Sequence, residues 1–461
     1  MLFSSAIFLI WFLPVFLVAY QLVPAKFKNP TAFLGSFIFY AWGAPIFCLV
    51  LLLSSALDFV IAQKFEQENR KSWLTAGLII NVGTLFIFKY FNFFTENVRS
   101  VLEGMGLAFP SYMEIALPLG ISFFTFQKIS YLVDVYRNET PRAKSLLDYL
   151  LFVFLFPQLI AGPIVRYKDI SNQLIDRSHQ DKWGFKLSGL QQFILGLTKK
   201  VLIADGLAPL ADAAFASDQL GAIGALLGLL AYTFQIYFDF SGYTDMAIGL
   251  GMLMGFKFPE NFNWPYAAAG FQDFWRRWHM TLSSWMRDYL YFPLGGSRKG
   301  QWIVLRNLWI VFLLSGLWHG ASWNFVIWGA WHGLFLTVDR FSIFFKRMNH
   351  FYSSLLTFVL VMLGWIWFRA ETLGDALNYF GELLNFEDHT ALEVTPRQWL
   401  MLCLATVFSF LPPMSHHLMK SFHGDNGRNM VLKSVISLVL FILCLGQIAI
   451  SDGQPFIYFR F

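Results

Sequence analysis

The sequence predicts an all-α protein that crosses a membrane many times, and two observations lead to this. Hydrophobic residues make up 56% of the 461 residues and charged residues only 14%, whereas soluble domains carry about 25% charged residues. Apolar runs of roughly the 20 residues that one bilayer crossing needs recur from one end of the sequence to the other. We count roughly 11–13 membrane segments, one of them re-entrant, in a single transmembrane domain over residues 1–461.

The charge and cysteine content exclude several other classes of protein. The net charge of +5 needs no nucleic acid, because Lys and Arg in short cytoplasmic loops give membrane proteins such an excess. Cys48, Cys403 and Cys444 lie apart in apolar runs without a Cys-x-x-Cys pair, which favours neither disulfides nor a structural zinc site. The partner that the composition does indicate is the lipid bilayer.

The basic loops fix the orientation of the first predicted segments. Residues 1–23 form an apolar run without a basic start or a cleavage site, so we interpret them as a retained helix. Lys26 and Lys28 place the following loop in the cytoplasm and the N-terminus outside. A Gly-Ala-Pro sequence at residues 43–45 predicts the turn of a helical hairpin. The remaining segments of this part are residues 31–42, 46–63, 73–94 and 115–136.

Residues 146–165 are predicted to be re-entrant, because this segment lies between two basic loops and contains Pro157, Gly162 and Pro163. Broken backbone at membrane depth is tolerated only where protein or a water-filled cavity covers it. Residues 156–163 are therefore a candidate cavity wall. The alternative is a kinked helix on the surface.

Two further crossings, residues 189–203 and 222–240, are predicted on either side of an outer loop that carries Asp205, Asp212 and Asp218. Asp239 and Asp245 flank the end of the second crossing. Because a carboxylate in a membrane is costly, these two residues indicate either a polar cavity that they line or pairing with a nearby Arg.

Residues 261–300 are too polar to span a membrane, yet aromatic and aliphatic side chains recur there at spacings of three and four. This period predicts one amphipathic helix in the cytoplasmic interface. His279 falls four residues after Trp275 and therefore shares the apolar side of that helix. Two interpretations stay open: a histidine used in chemistry, or one that contacts lipid headgroups among tryptophans.

A helix pair within residues 301–340, formed by residues 302–317 and 323–338, carries the sequence Trp-His-Gly twice, at His319 and His332. Basic residues at its outer ends place those ends in the cytoplasm, so we expect His319 at the turn between two buried helices. An acidic loop then lies outside, and the C-terminus is outside as well. The last predicted crossings are residues 355–368, 399–411 and 435–450.

A histidine at this position is suited to proton transfer, because its unperturbed pKa is about 6.5. Acyl transfer from a thioester requires little more than such a base. The membrane region contains no Gly-x-Ser-x-Gly sequence, nucleotide-binding signature or His-x-x-x-His pair. The sequence therefore favours neither a serine hydrolase, an ATP-driven pump nor a bound metal, and His319 is the residue that we expect to be catalytic.

Residues 271–285 and the two Trp-His-Gly sequences carry a family resemblance, which continues at residues 156–163, 237–245 and 455–459. They resemble the membrane-bound O-acyltransferases, in the bacterial branch of alginate O-acetylation proteins. The resemblance implies a funnel-shaped fold with a tunnel from the cytoplasmic face, in which His319 matches the essential histidine and His279 lies near the donor path. It also implies acetyl-CoA as donor, no bound cofactor, and a bacterial inner membrane protein with periplasmic termini.

In proteins of this kind the acetyl group passes to a periplasmic partner, which esterifies an exported polysaccharide. Alginate is favoured as the polymer, while cellulose and peptidoglycan stay open, because specificity would reside in the partner. Two rivals from other classes stay open. One is a polytopic transporter, for which the sequence offers no inverted repeat, and the other is a non-catalytic scaffold for periplasmic acetylation enzymes.

The remaining candidate residues have structural alternatives. For His332 we prefer a packing role, with a hydrogen bond to a backbone carbonyl, over a place in the tunnel wall. Asp239, Asp245, Asn324 and Trp318 are candidates to line the tunnel or to orient its groups. For the two carboxylates and Asn324 a purely structural role is equally open.

Overall fold

The computed structural model describes residues 1–66, 69–180, 182–217, 219–387, 392–410, 427–450 and 455–457. These residues form helices joined by turns, and none of them lies in a β-strand, which confirms the predicted all-α fold. By their contacts they form two compact units: Met1 with Ile10–Lys186 and Gly251–Phe258, and Leu2–Leu9 with Leu187–Leu250 and Pro259–Phe461. That residues 1–461 form a single domain stays a prediction.

The first part of the chain contains nine α-helices among the described residues. A π-helical stretch, Ile7–Phe12, precedes the first of them, and short 3-10 helices lie at Ala25–Phe27, Lys64–Glu66 and Ser178–Gln180. The α-helices are α1 (Leu13–Leu22), α2 (Lys28–Gly43), α3 (Pro45–Gln63), α4 (Arg70–Leu85), α5 (Phe91–Gly104), α6 (Ile121–Tyr136), α7 (Leu146–Phe154), α8 (Phe156–Leu159) and α9 (Tyr167–Ile175).

The predicted hairpin near the start of the chain is confirmed, since a single residue, Ala44, separates α2 from α3. The next two boundaries differ from the prediction. A π-helical stretch, Phe86–Tyr90, joins α4 to α5, so this helix continues past its predicted end to Gly104. The return helix begins later than predicted, at Ile121, because the preceding residues are not helical and Gly120 has a φ of 78°.

The segment predicted to be re-entrant is broken, as its Pro and Gly residues indicated. At the break between α7 and α8, the Ser36 hydroxyl accepts a hydrogen bond from Phe156 N (3.1 Å), and Gln158 Nε2 donates to the Phe152 carbonyl (2.7 Å). Side chains therefore satisfy backbone groups that a continuous helix would have satisfied. Residues 149–166 are all buried, so the alternative of a kinked surface helix is wrong.

The helices that follow along the chain carry the candidate site. π-helical stretches lie at Lys199–Ala204 and Arg287–Tyr291, and a 3-10 helix lies at Pro265–Ala267. The α-helices are α10 (Trp183–Thr198), α11 (Asp205–Phe215), α12 (Gly221–Leu253), α13 (Phe271–Trp275), α14 (Met280–Met286), α15 (Gln301–His319), α16 (Trp323–Phe341), α17 (Phe344–Arg347), α18 (His350–Arg369), α19 (Leu373–Glu382), α20 (Pro396–Phe410) and α21 (Gly427–Ile450).

The prediction of an outer loop after residue 203 is wrong. α10, the π-helical stretch and α11 form one continuous helix, which carries Asp205 and Asp212, while Asp218 lies outside the described residues. Lys199 and Lys200 lie within the predicted crossing of residues 189–203, although charges are costly at membrane depth. In the structure, carboxylates lie beside both lysines and neutralise them.

α15 and α16 form an antiparallel hairpin that agrees with the predicted helix pair to within a few residues. Two glycines determine how closely the helices approach. Gly316 faces the Phe325 carbonyl and Gly329 faces the Phe312 carbonyl, so closely that a Cβ on either glycine would collide with that oxygen. This contact between backbones fixes one helix against the other, and with it the position of His319 at the end of α15.

We expect Gly329→Val to force α15 and α16 apart and to lower the free energy of unfolding by about 1–3 kcal/mol, as overpacking does. The measurement is the midpoint of heat-induced aggregation in detergent. Gly446→Val is the matched control, because a Cβ at Gly446 on α21 would meet nothing within 4 Å. Equal midpoints for the two variants would contradict the close helix contact.

Six helices of the described residues are long and apolar enough to cross a membrane: Pro45–Glu66, Arg70–Gly104, Gly221–Leu253, Gln301–His319, His350–Arg369 and Met430–Ile450. A shorter apolar helix covers Ile7–Leu22. The chain is therefore a multi-pass membrane protein, as its composition predicted. The larger number of 11–13 segments stays a prediction.

Candidate active site

His319 is the last residue of α15 and lies at the turn that leads to α16, where the sequence predicted it. Its imidazole is buried among aromatic rings. The ring centroids of Trp318, Trp328 and Phe368 lie 4.9, 4.8 and 5.4 Å from that of His319. The plane of each ring is steeply inclined to the plane of the imidazole. Such an enclosure excludes bulk water, and charge that develops there interacts more strongly with nearby dipoles.

His279 lies in a turn and not within the long amphipathic helix predicted for residues 261–300, so that prediction is wrong. α13 ends at Trp275, α14 begins at Met280, and His279 between them has a φ of 43°, in the left-handed region. Its side chain is fully buried, so the alternative of a headgroup-contacting histidine is also wrong. Burial lowers the pKa of His279 to about 3, which keeps the imidazole neutral at pH 7.

Asn261 holds His279 in place. No sequence pattern pointed to this residue, because an Asn before a 3-10 turn resembles any other loop residue. Asn261 Oδ1 lies 3.0 Å from His279 Nδ1. The same oxygen accepts hydrogen bonds from the Thr281 backbone N–H (3.1 Å) and the Thr281 hydroxyl (2.8 Å). The Asn261 carbonyl also accepts from Met280 N (2.9 Å), so one residue binds both the ring and the backbone of the turn.

Trp318 connects the two histidines. Its ring centroid lies 4.9 Å from that of His319 and 6.1 Å from that of His279. The edge of the Phe240 ring, with its centroid 4.8 Å away, covers another side of His279. The structure therefore brings His279, His319 and Trp318 together, although the first lies 40 residues before the second along the chain.

His332 lies deeper along α16 in an aromatic cluster. Its ring centroid is 4.7 Å from that of Trp328 and 5.1 Å from that of Trp275. Neither ring nitrogen has a hydrogen-bond partner among the described residues, so the expected bond to a backbone carbonyl is wrong. Gly364 packs against the ring, since a Cβ there would lie 3.3 Å from His332 Nε2.

The two carboxylates on α12 pair with lysines and not with the arginine considered from the sequence. Lys200 Nζ lies 2.7 Å from Asp239 Oδ1, and Ile457 N donates to Asp239 Oδ2 (2.8 Å). Asp245 pairs with Lys199 and accepts a hydrogen bond from Gln192 Nε2 (2.7 Å). Because α12 extends to Leu253, both carboxylates lie inside the helix and not at its end. These contacts are structural ones, and a place in the tunnel wall stays a prediction for both residues.

Asn324 ties the beginning of α16 to the end of α18. Its Nδ2 donates a hydrogen bond to the Ala370 carbonyl (2.7 Å). This bond holds the α15–α16 turn against Ala370, the residue that follows α18. Phe368, near the end of α18, covers His319. Asn324 therefore supports the enclosure of His319 from a distance, and a role as an orienting group in the reaction stays a prediction.

A pocket with a cavity volume of about 240 Å³ lies between α14, α15 and α16. Its walls are mainly apolar and include Leu282, Met286, Leu308, Val311, Phe312 and Leu336, and it contains two cations, Arg287 and Arg340. Two serines connect it to the histidines. Ser283 N donates to the His279 carbonyl (3.0 Å), and Ser315 precedes His319 by one helical turn on the same face of α15.

Neither histidine lines this pocket, and a stretch of α16 separates its Arg340 from the contact between α16 and the end of α15. Gly316, beside Ser315, faces Gly329 on α16, and the eleven residues from Gly329 to Arg340 span about 16 Å at 1.5 Å per residue. Trp275 Nε1 and Tyr291 Oη are buried in residues that line this pocket, and neither makes a hydrogen bond within the described part of the chain. An occupant with both polar and apolar parts would suit such walls.

Metal ligands do not converge anywhere in the described residues, where no three His, Cys, Asp or Glu side chains come together. The arrangement that the structure does present is a buried pair of histidines and a mainly apolar pocket lined by two arginines. Histidines in such an arrangement can transfer protons at a site that is shielded from bulk water.

The chain is similar in sequence to known proteins, which identifies its family. The description of the membrane-bound O-acyltransferase family matches residues 84–368, which include both histidines and the pocket. The chain is 38% identical to the probable alginate O-acetylase AlgI of Pseudomonas putida over the full length of both. It is 42% identical to that of Azotobacter vinelandii, over 88% of this chain and 83% of the relative. It is also 37% identical to the peptidoglycan O-acetyltransferase of Helicobacter pylori, over 100% of this chain and 98% of the relative.

Proposed function

The chain belongs to the membrane-bound O-acyltransferase family, and from this premise we propose that it transfers an acetyl group from cytoplasmic acetyl-CoA to an acceptor on the periplasmic side. It is a multi-pass membrane acyltransferase. The finer proposal is that a periplasmic partner receives the acetyl group in the inner membrane and esterifies an exported polysaccharide. The observation that carries it is the pocket lined by Arg287 and Arg340, whose wall also includes Ser283 and Ser315, each four residues along the chain from one of the two histidines.

His319 is the general base in the proposed acyl transfer. The acceptor hydroxyl attacks the thioester carbonyl carbon while His319 takes its proton, and the tetrahedral intermediate then expels the thiolate. The thiolate recovers the proton from the His319 imidazolium, so the products are an acetyl ester and free CoA thiol. General base catalysis of this kind contributes typically 10²- to 10⁴-fold in rate, and the aromatic rings around His319 keep water from competing with the acceptor.

The charge of the pocket wall and the length of α16 both suit this donor. The phosphates of acetyl-CoA would bind Arg287 and Arg340, because guanidinium groups match phosphate oxygens well. The pantetheine arm is comparable to roughly five extended residues, about 17 Å, which agrees with the path of about 16 Å along α16. Trp275 Nε1 and Tyr291 Oη would donate to the amides of this arm. A purely apolar lipid chain would leave both buried groups without a hydrogen bond, at a cost of about 1–3 kcal/mol each.

We expect Arg340→Gln to raise the KM for acetyl-CoA about tenfold or more while kcat changes little, because a phosphate contact remote from the thioester serves binding. The measurement is CoA thiol release by the purified protein in liposomes. Arg347→Gln is the matched control, since Arg347 lies exposed on α17 outside the pocket and should leave KM unchanged. Equal KM values for the two variants would contradict this donor site.

Alginate is the polymer that we propose, because relatives that span the whole chain are named alginate O-acetylases. Peptidoglycan is the second candidate, since the Helicobacter pylori relative also spans the whole chain. The test is to delete the protein from its host and to measure acetyl esters on each polymer. Esters that persist on both polymers would contradict the proposal.

Liposomes containing the purified protein separate this proposal from the two rival functions. An acyltransferase releases CoA thiol when acetyl-CoA and an acceptor are both present. A transporter would move a solute without releasing CoA thiol, and a scaffold would bind its partner and do neither.

A further inference from the structure

We propose that Asn261 is a positioning residue, which holds His279 as the neutral tautomer with its proton on Nδ1 and so leaves Nε2 as a proton acceptor. The proposal rests on acyl transfer taking place in the site described above. It assigns to the second histidine a definite chemical state, and it adds a residue that touches no substrate.

The orientation of the Asn261 amide follows from Thr281. The Thr281 backbone N–H lies 3.1 Å from Asn261 Oδ1, and a backbone N–H can only donate a hydrogen bond. The atom that faces it must therefore be the amide oxygen, because the amide nitrogen carries two hydrogens and accepts none. The side chain of Asn261 cannot be turned by 180° without placing two donors against each other.

The tautomer of His279 follows from that orientation. Asn261 Oδ1, an acceptor, lies 3.0 Å from His279 Nδ1, so Nδ1 carries the hydrogen. A neutral imidazole has only one N–H, which leaves the lone pair on Nε2. Proton uptake at Nε2 would give an imidazolium whose Nδ1–H still donates to Asn261, and no side chain would need to move.

The backbone of the turn is held by the same segment. Asn261 O accepts from Met280 N (2.9 Å), and Asn263 N donates to the Arg277 carbonyl (2.9 Å). These bonds surround His279, whose left-handed φ of 43° costs about 1–2 kcal/mol for a residue with a Cβ. The segment before α13 therefore determines both where the imidazole lies and which way its nitrogens point.

Aromatic rings cover His279, namely those of Phe240 and Trp318. Charged residues on neighbouring elements form ion pairs with one another: Asp239 with Lys200, Asp245 with Lys199, and Arg277 with Asp273. The hydrogen bond from Asn261 is the polar contact from which the tautomer of His279 follows.

Two substitutions at this position separate positioning from packing. Asn261→Leu keeps the volume and removes the acceptor, so we expect kcat to fall tenfold or more with the KM for acetyl-CoA little changed. Asn261→Asp keeps an acceptor and adds a negative charge, which favours the imidazolium. We expect it to retain kcat within about threefold and to move the acid limb of the rate–pH profile to higher pH. Thr281→Val is the matched control, because the Thr281 backbone N–H and the bond to His279 both remain.

A direct measurement of the tautomer keeps the proposal testable where a variant fails to insert. In ¹⁵N NMR of histidine-labelled protein, the signals that disappear in His279→Gln belong to His279, and they reveal which nitrogen carries the proton. A proton on Nδ1 in the unaltered protein supports the proposal, and a proton on Nε2 overturns it. Wild-type kcat and an unshifted pH profile in Asn261→Leu would overturn it as well. If the unaltered protein transfers no acetyl group, the proposed function fails, while the NMR result still decides the role of Asn261.

Discussion

His319→Ala is expected to lose O-acetylation by a factor of at least about 10²–10⁴, the usual contribution of a positioned general base. The imidazole at the end of α15 is enclosed by Trp318, Trp328 and Phe368, and none of these three rings is a base that could take its place. The measurement is CoA thiol release in liposomes together with acetyl esters on the exported polymer.

Two further variants decide whether such a loss is chemical. His319→Gln keeps most of the buried volume and a polar end but has no basic nitrogen, so it should be as inactive as His319→Ala while inserting normally. His350→Ala is the matched control, because His350 is exposed at the start of α18, and it should be fully active. Normal acetylation by a well-inserted His319→Gln would rule out His319 as the base.

Lys200→Met is expected to lower the free energy of unfolding by about 3–5 kcal/mol, the usual cost of leaving a buried charge without its partner. Lys200 Nζ lies 2.6 Å from Asp205 and 2.7 Å from Asp239, and only 4% of its side chain is exposed. Without the ammonium, two neighbouring carboxylates would face each other in an apolar environment. The measurement is the midpoint of heat-induced aggregation in detergent, with the amount of inserted protein as a second readout.

The neighbouring lysine supplies the control for this prediction. Lys199 also pairs with a carboxylate, Asp245, but its side chain is 24% exposed and Gln192 donates a further hydrogen bond to that carboxylate. Lys199→Met should therefore cost clearly less, and the double variant Lys200→Met with Asp239→Asn should recover part of the loss. Equal midpoints for Lys199→Met and Lys200→Met would contradict the role assigned to the buried pair.

Local sequence patterns correctly predicted those helix ends that are determined by residues at the ends themselves. Pro45 and the residues before it marked the first hairpin, and Pro157 and Gly162 marked the broken segment, because such residues act on the backbone at their own positions. The position of His319 was predictable for a similar reason. Basic residues at both ends of the α15–α16 pair fixed its orientation, and a turn had to lie between two apolar runs.

Patterns failed where distant parts of the chain determine local structure. The aromatic period through Trp275 and Trp278 continues without a break, yet α13 ends at Trp275 and Trp278 lies in the turn before α14. Asn261 binds the backbone and the ring of this turn. Lys200 lies within one predicted crossing and Asp239 at the end of the next. They lie 39 residues apart along the chain, and no spacing rule connects them, so only the folded structure reveals that each neutralises the other.

The contacts of Asp239 also have a consequence for the time course of synthesis. Its ion-pair partner Lys200 is already made when Asp239 is made, but Ile457, which donates to its other oxygen, follows 218 residues later. At about 5–20 residues per second, this interval lasts roughly 10 to 45 s. During that time the newly inserted α12 carries a carboxylate that can form its ion pair with Lys200 but still lacks the hydrogen bond from Ile457.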